Sequence, residues 1–298
     1  MKKNIAVIGG ANVDLSATLR GAFIASDSNP GFVHIGYGGV ARNIAHNLAL
    51  LGANVQLVSC FGSDILGELI RQDCINQGLH LDLSQQIGQE RNGMYLCINN
   101  HAGDMIAAVA DTDIMMHLTP GYLEQRMEQL NRSDFIVADT NISAGTLQYL
   151  IEHATAPVFV DGVSTVKAER VTEALRKSNK KHLFALKLNQ KEALSVTGAE
   201  NYEEAAVHLL KQGVDNIYIT LGSEGAYCCN TEERYHFPAL PGEVVNTTGA
   251  GDAFLSGVVW AYVKGLRFAD TAQYGLMAAR AALKSPSAVN PDIANLLL

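Results

Sequence analysis

The stretch Asn4-Ile-Ala-Val-Ile-Gly-Gly-Ala-Asn-Val-Asp14 opens on a short unbroken apolar run that stops at a glycine pair. An unbroken run, unlike an alternating one, suits a strand covered on both faces, as in a parallel sheet. Similar runs recur at residues 55–58, 135–138, 158–160, 183–187 and 217–220, with helical patterns between them. Val40, Ile44, Leu48 and Leu51 fall on one helical stripe, and Gly52 supplies a C-terminal cap. Ile65, Leu66, Leu69 and Ile70 indicate a second helix, closed by Gly78. The alternation predicts an α/β doubly wound, mostly parallel sheet flanked by helices. Although Gly9-Gly10 follows the first strand, Gly-x-Gly-x-x-Gly is missing, and Asp14 sits where a pyrophosphate would be repelled. Gly-x-x-x-x-Gly-Lys-[Ser/Thr] is missing too, so a P-loop is excluded.

Two stretches break the series. Residues 32–37 and 94–110 read as antiparallel strands, the second a hairpin turning at Asn99-Asn-His-Ala-Gly-Asp104. They have no place in a parallel sheet, so they predict a small accessory β-sheet built from discontinuous segments of about 15–37 and 92–113. A lid over a binding cleft, and a surface for a homodimer, is its natural use. The 298 residues, 48% of them hydrophobic, fit one main domain over 1–298. Residues 288–298 read as a short closing segment. A net charge of −8 argues against nucleic acid as the main partner, so an anionic ligand would need local donors. The first apolar run is too short for a signal peptide or membrane span. Cys60, Cys74, Cys97, Cys228 and Cys229 show neither zinc nor Cys-x-x-Cys spacing, and read as buried reduced thiols of a cytoplasmic protein.

The strongest local motif is Val244-Val-Asn-Thr-Thr-Gly-Ala-Gly-Asp252, followed by a helical run over residues 253–263. Gly249 and Gly251 remove side chains where backbone must approach a ligand, and the following helix aims free N–H groups at the same place. An aspartate there repels phosphate, so its presence calls for another reason. A general base for an alcohol nucleophile supplies one: Asp252 would accept the hydroxyl proton while the amides of Ala250, Gly251 and Asp252 stabilise charge on a transferring phosphoryl group. The alternative is that Thr248 or Asp252 only caps the helix.

Four further segments lie at strand ends. Asn12 and Asp14 follow the first strand, and Asp14 could accept hydrogen bonds from a sugar diol. Gly38-Gly39 precedes the helix with Arg42 and Asn43, whose amides could meet the same sugar. Asn189 and Glu192 could orient phosphates and a hydrated magnesium ion, although Asn-x-x-Glu is also an ordinary capping box. Thr220, Gly222 and Gly225 could cradle phosphate at a tight turn into a strand at residues 226–229, or form a plain hairpin.

Taken together and in this order, these residues resemble the ribokinase-like (PfkB-type) carbohydrate kinases. The resemblance implies a ribokinase-like α/β fold with a β-sheet lid, ATP and Mg2+ as cosubstrates, phosphate transfer to a primary alcohol, and a dimer formed through the lids. It implies Asp252 as base, Gly249 to Gly251 as anion hole, Asp14, Gly39 and Asn43 as sugar ligands, and Glu192 as a ligand of magnesium-bound water. Within the family, Ala25-Ser-Asp-Ser-Asn-Pro-Gly31, the run from Gly38 to Gly52, Val137-Ala-Asp-Thr-Asn-Ile-Ser143 and Val160-Asp-Gly-Val-Ser164 with Lys167 are similar to the bacterial pseudouridine kinases. That narrower likeness implies a nucleoside phosphorylated at its 5′-hydroxyl, faced by Met94, Tyr95, Asp111, Asn141 and Lys167. Many relatives hold an activating monovalent cation with an Asp six residues before the base; here that position is Asn246. A neutral amide implies weak or absent potassium activation. A ribokinase, another sugar or nucleoside kinase, and a non-enzymatic sensor share the fold, and the intact Asp252 with Gly-Ala-Gly speaks against the sensor.

Overall fold

The computed structural model describes residues 2–180 and 182–297. In chain order the strands are β1 (Asn4–Ile8), β2 (Asn12–Leu19), β3 (Gly31–Gly38), β4 (Asn54–Val58), β5 (Cys60–Gly62), β6 (Gln85–Ile87), β7 (Met94–Asn99), β8 (Met105–Asp111), β9 (Phe135–Asp139), β10 (Val158–Asp161), β11 (Leu183–Asn189), β12 (Val214–Thr220), β13 (Ala226–Cys229) and β14 (Arg234–Phe237). Eight of them form the main sheet, ordered β14-β13-β12-β11-β10-β9-β1-β4. Its members from β4 to β12 run parallel, and β13 and β14 add an antiparallel edge.

The unbroken apolar runs follow from burial on both faces. In β1, Ala6 and Ile8 join one core cluster while Ile5 and Val7 join the other, and β9 divides likewise between Ile136 and Val137. Period-2 geometry thus feeds two cores from one strand. The Val40–Leu50 helix carries the expected stripe, and Gly52 follows its end with φ +95°. The Ile65–Asn76 helix departs from expectation: it buries Gly67, Ile70 and Cys74, whereas Ile65 and Leu69 are 76% and 47% exposed. Apolar content marked that helix correctly without fixing which face turns inward. Cys60, Cys74, Cys228 and Cys229 are buried free thiols, and Cys97 is half-buried.

The interrupting segments make a four-stranded sheet, ordered β3-β2-β7-β8. Its outer pairs are antiparallel, as expected, but β2 and β7 in the middle run parallel, because a long excursion through the main sheet separates them. Asn12 to Asp14 therefore begin a strand of this sheet rather than lying in a loop past β1. Among the described residues no helix is long and apolar enough to cross a membrane.

Strand order reverses between β1, which continues to β4 on one side, and β9, which continues outward on the other. Asp139, the last residue of β9, spans that point and is fully buried. Its Oδ2 accepts hydrogen bonds from Gly10 N (3.0 Å), Ala41 N (2.9 Å) and Asn141 Nδ2 (2.9 Å), and its Oδ1 from Asn141 N (2.9 Å). One carboxylate so fastens the turn after β1, the first turn of the Val40–Leu50 helix and the turn after β9. Removing it strands several buried N–H groups, so Asp139→Ala should lose on the order of 3 kcal/mol in urea unfolding at pH 7. A loss under ~1 kcal/mol would show that water replaces the carboxylate without strain.

Candidate active site

Four apolar runs of the parallel sheet end in a polar residue at the same edge: Asp139 in β9, Asp161 in β10, Asn189 in β11 and Thr220 in β12. Ligands of open α/β sheets gather at this edge, beside the reversal of strand order. Above it begins the Ala250–Val263 helix, with Gly249 as N-cap at φ +80°. A Cβ on Gly249 would stand 2.0 Å from the Ala288 carbonyl oxygen, so both conformation and space demand glycine. The helix start has no side-chain cap, which removes the reading of Thr248 or Asp252 as a mere cap. Ala250 N makes a long contact of 3.4 Å to Thr247 O, while the amides of Gly251 and Asp252 stand in the first turn, where an α-helix offers no internal acceptor. An anion completes such an end well.

Asp252, in that first turn, is 9% exposed. Its Oδ2 accepts from Asn43 Nδ2 at 2.8 Å. Burial, and then the nearby Asp161, push its carboxyl up to about 7, against the pull of Asn43 and Lys187. A carboxylate poised there can take a proton near neutral pH. Asn43 Oδ1 in turn accepts from Arg42 Nη1 at 3.2 Å, and Arg42 Nη2 pairs with Asp73 Oδ2 at 2.6 Å.

On the neighbouring wall, Asn12 Nδ2 donates to Asp14 Oδ1. Burial raises the Asp14 carboxyl to about 6, with Arg42 and Asn12 drawing it back. Gly38 lies directly against the Asp14 carboxylate, and Gly39 against the Gly10 carbonyl. Register puts Asp14 in one row with Gly36 and Tyr95, and Val13 in the next row with Tyr37, Met94 and Asp111. Adjacent rows present to opposite faces, so Tyr95 shares a face with Asp14 whereas Met94 and Asp111 do not. Behind this wall, Lys167 Nζ donates to Asn141 Oδ1 (2.6 Å) and Thr112 Oγ1 (3.1 Å). Burial, opposed by Asp139 and aided by Arg170, holds the Lys167 ammonium below the usual lysine range.

On the other side of the helix start lies a cavity of about 600 Å³, lined by Thr220, Gly222, Gly225, Val244, Phe254 and Leu276 among others. Of the two readings of this turn the hairpin is present, formed by β12 and β13, and its glycines line the cavity. Asn189 and Glu192 form a complete capping box, with Asn189 N donating to Glu192 Oε2 at 2.8 Å and Glu192 N to Asn189 Oδ1 at 2.9 Å. Glu192 is nevertheless only 2% exposed, and burial raises its carboxyl while Lys187 lowers it. No group of three or more metal-ligating side chains occurs among the described residues. Asn246 spends both ends of its amide inside the loop, on Pro286 O and Thr248 N, each at 2.9 Å.

Three buried charges at this edge escaped the sequence reading: Asp139, Asp161 and Lys187, the last pair 3.0 Å apart. The available signal was a charged residue closing an unbroken apolar run.

The chain belongs to the pfkB family of carbohydrate kinases, whose model matches residues 2–295. It is 32% identical over 299 residues to the pseudouridine kinase of Escherichia coli (strain K12), covering 98% of this chain and 94% of that one. The guanosine-inosine kinase of Exiguobacterium acetylicum is 28% identical, over 86% of each chain. The structure of Arabidopsis thaliana ribokinase complexed with ribose and ATP superposes with a TM-score of 0.83 at 21% identity, covering 100% of this chain and 99% of that one. The fold is thus ribokinase-like, and the chain is a sugar or nucleoside kinase that transfers phosphate to an alcohol, with ATP and Mg2+ implied by the family.

The raised Asp252 carboxyl also bears on stability. Between its ordinary value of 3.8 and about 7 the folded chain holds a proton there that the unfolded chain has lost, so stability falls as pH rises through that window. Asp252→Asn, neutral throughout, should melt ~5 °C above the parent at pH 8, with the gap narrowing towards pH 4. Equal melting temperatures at pH 8 would place Asp252 in a solvated setting.

Proposed function

We propose that this kinase phosphorylates the 5′-hydroxyl of a nucleoside, with pseudouridine preferred, and that Asp252 is its general base. The observation that carries the substrate is the half-buried Lys167 ammonium on Asn141 and Thr112. A free pentose is satisfied by the short polar wall of Asn12, Asp14 and Asn43, and has nothing to offer a lysine set further back. A base with carbonyl oxygens and ring N–H groups does, since Lys167 donates and the Asn141 amide both donates and accepts. Tyr95, in the row of Asp14, offers an aromatic edge to the same ligand. Similarity to a pseudouridine kinase over nearly the whole chain supports the choice.

In this reading Asp14 and Asn12 hold the sugar hydroxyls, and Asn43 fixes the Asp252 carboxylate to receive the 5′-hydroxyl proton. The backbone amides at Gly251 and Asp252 take up charge on the transferred group, with Gly249 setting the turn that aims them. ATP would supply the phosphoryl group, and Mg2+ when bound would neutralise charge on its phosphates. The apolar cavity beside Phe254 and Leu276 would suit the nucleotide base, Thr220 and the glycines at 222 and 225 would hold its phosphates, and Glu192 would supply a carboxylate for the metal's water. The Asn246 oxygen is uncharged and already accepts from Thr248 N, which supports weak or absent activation by a monovalent cation. The four-stranded sheet acts as a lid.

A screen of ATP consumption over ribose, uridine, pseudouridine, inosine and fructose 6-phosphate tests this reading. Pseudouridine should give the highest kcat/KM, with equal rates in potassium and in a bulky organic cation at constant ionic strength. Ribose or a sugar phosphate ahead of every nucleoside would refute the substrate but leave the kinase. Asp252→Asn should reduce kcat at least ~10²-fold while nucleotide still binds. For the parent, kcat/KM should rise with pH and level off above about 7, as the carboxyl loses its proton.

We also infer a homodimer through the small sheet. The face opposite Asp14 carries exposed Val33, Ile35, Leu96 and Val109 in adjoining rows. An apolar face of this kind marks an interface. Ile35→Glu should convert a dimer to monomer in sedimentation velocity; a monomeric parent would remove the inference.

A further inference from the structure

Lys187 carries a buried charge that none of the roles above uses. It lies near the end of β11, two residues before Asn189, and its side chain is 7% exposed. Its Nζ is 3.0 Å from Asp161 Oδ2. That oxygen has no aligned hydrogen bond, so the contact is one of charge, and both groups keep capacity for a further partner. A Cβ built on Gly251 would stand 2.6 Å from the same Nζ. The ammonium therefore rests against the backbone of the anion-binding turn, and Gly251 is what lets it come so close.

The surrounding charges sharpen the point. Asp161, Glu192 and Asp252 all act on Lys187, and together they hold its proton on more firmly even though burial opposes this. Three carboxylates against one ammonium leave a negative cluster at the place where a polyanion must dock. A second cation there would relieve that repulsion less well than a fixed one, because a fixed charge needs no ordering as the reaction proceeds.

We propose that Lys187 is a positioning residue of the transfer centre: held by Asp161 beneath Gly251, its ammonium offsets the negative charge gathered at this edge and sets a permanent positive charge behind the turn that receives the phosphoryl group. The proposal rests on Asp252 being the base. It extends that reading from the groups that touch the ligands to the one that arranges them.

The test compares steady-state kinetics and thermal melting for Lys187→Met, Lys187→Arg and the double variant Lys187→Met/Asp161→Asn, with Asp252→Asn alongside. Lys187→Met should lower kcat ~10²-fold or more, leaving KM for the nucleoside within ~3-fold. Since that variant also leaves Asp161 buried without its counter-charge, it should melt lower. The double variant removes both charges, so it should regain melting temperature without regaining kcat. Lys187→Arg, which keeps the charge, should exceed Lys187→Met in kcat. Recovery of kcat together with melting temperature in the double variant would reduce the pair to a structural strut and overturn the proposal. A parent-like kcat in Lys187→Met would overturn it as well. Activity retained in Asp252→Asn, in contrast, would remove the base assignment whatever Lys187 does.

Discussion

A buried carboxylate with nowhere to send its charge is among the costliest things a fold can contain, and Asp139 is tolerated only because four N–H groups converge on it. Those donors belong to the turn after β1, the Val40–Leu50 helix and the turn after β9. Each is a segment that leaves the sheet at the reversal of strand order. Their relative positions are thereby fixed at one atom pair. The helix that Asp139 anchors brings Asn43 to Asp252 and Arg42 to Asp73, so the setting of the Asp252 carboxylate depends, two links away, on Asp139.

The site also resolves an electrostatic conflict. In the proposed function, phosphate approaches a carboxylate that has to stay basic, inside a chain with a net charge of −8. Positive character is accordingly supplied by fixed elements, the uncapped amides of the Ala250–Val263 helix and the Lys187 ammonium, rather than by a basic surface. Asp252 sits where burial and Asp161 weaken its acidity while Asn43 and Lys187 restrain the effect. The outcome is a carboxyl raised to about 7, as the proposed base requires.

The fold was legible because both-face burial writes an unbroken apolar run, and six such runs fell inside observed strands. The small sheet was legible as an interruption, yet its parallel central pair was not, since pairing of β2 with β7 depends on what the intervening chain does. Facing directions were harder still. Ile65 and Leu69 marked a helix but lie on its exposed side, and Met94 and Asp111 sit one row away from Asp14, where a single residue of register changes the face. Among candidate site residues, the glycine turn with Asp252 was legible because glycine and aspartate at such a place need a reason. Asp139, Asp161 and Lys187 were silent, because their significance lies in partners distant along the chain.

The helix that starts at Ala250 is, in thermodynamic terms, an incomplete element. Its Gly251 and Asp252 N–H groups have no acceptor within the helix, so the phosphate proposed to dock there would finish a piece of secondary structure as well as enter a reaction. Binding and folding then share a free energy, and the loaded protein is the more stable one by the logarithm of ligand saturation. Nucleotide supply would thus govern the lifetime of the molecule along with its turnover.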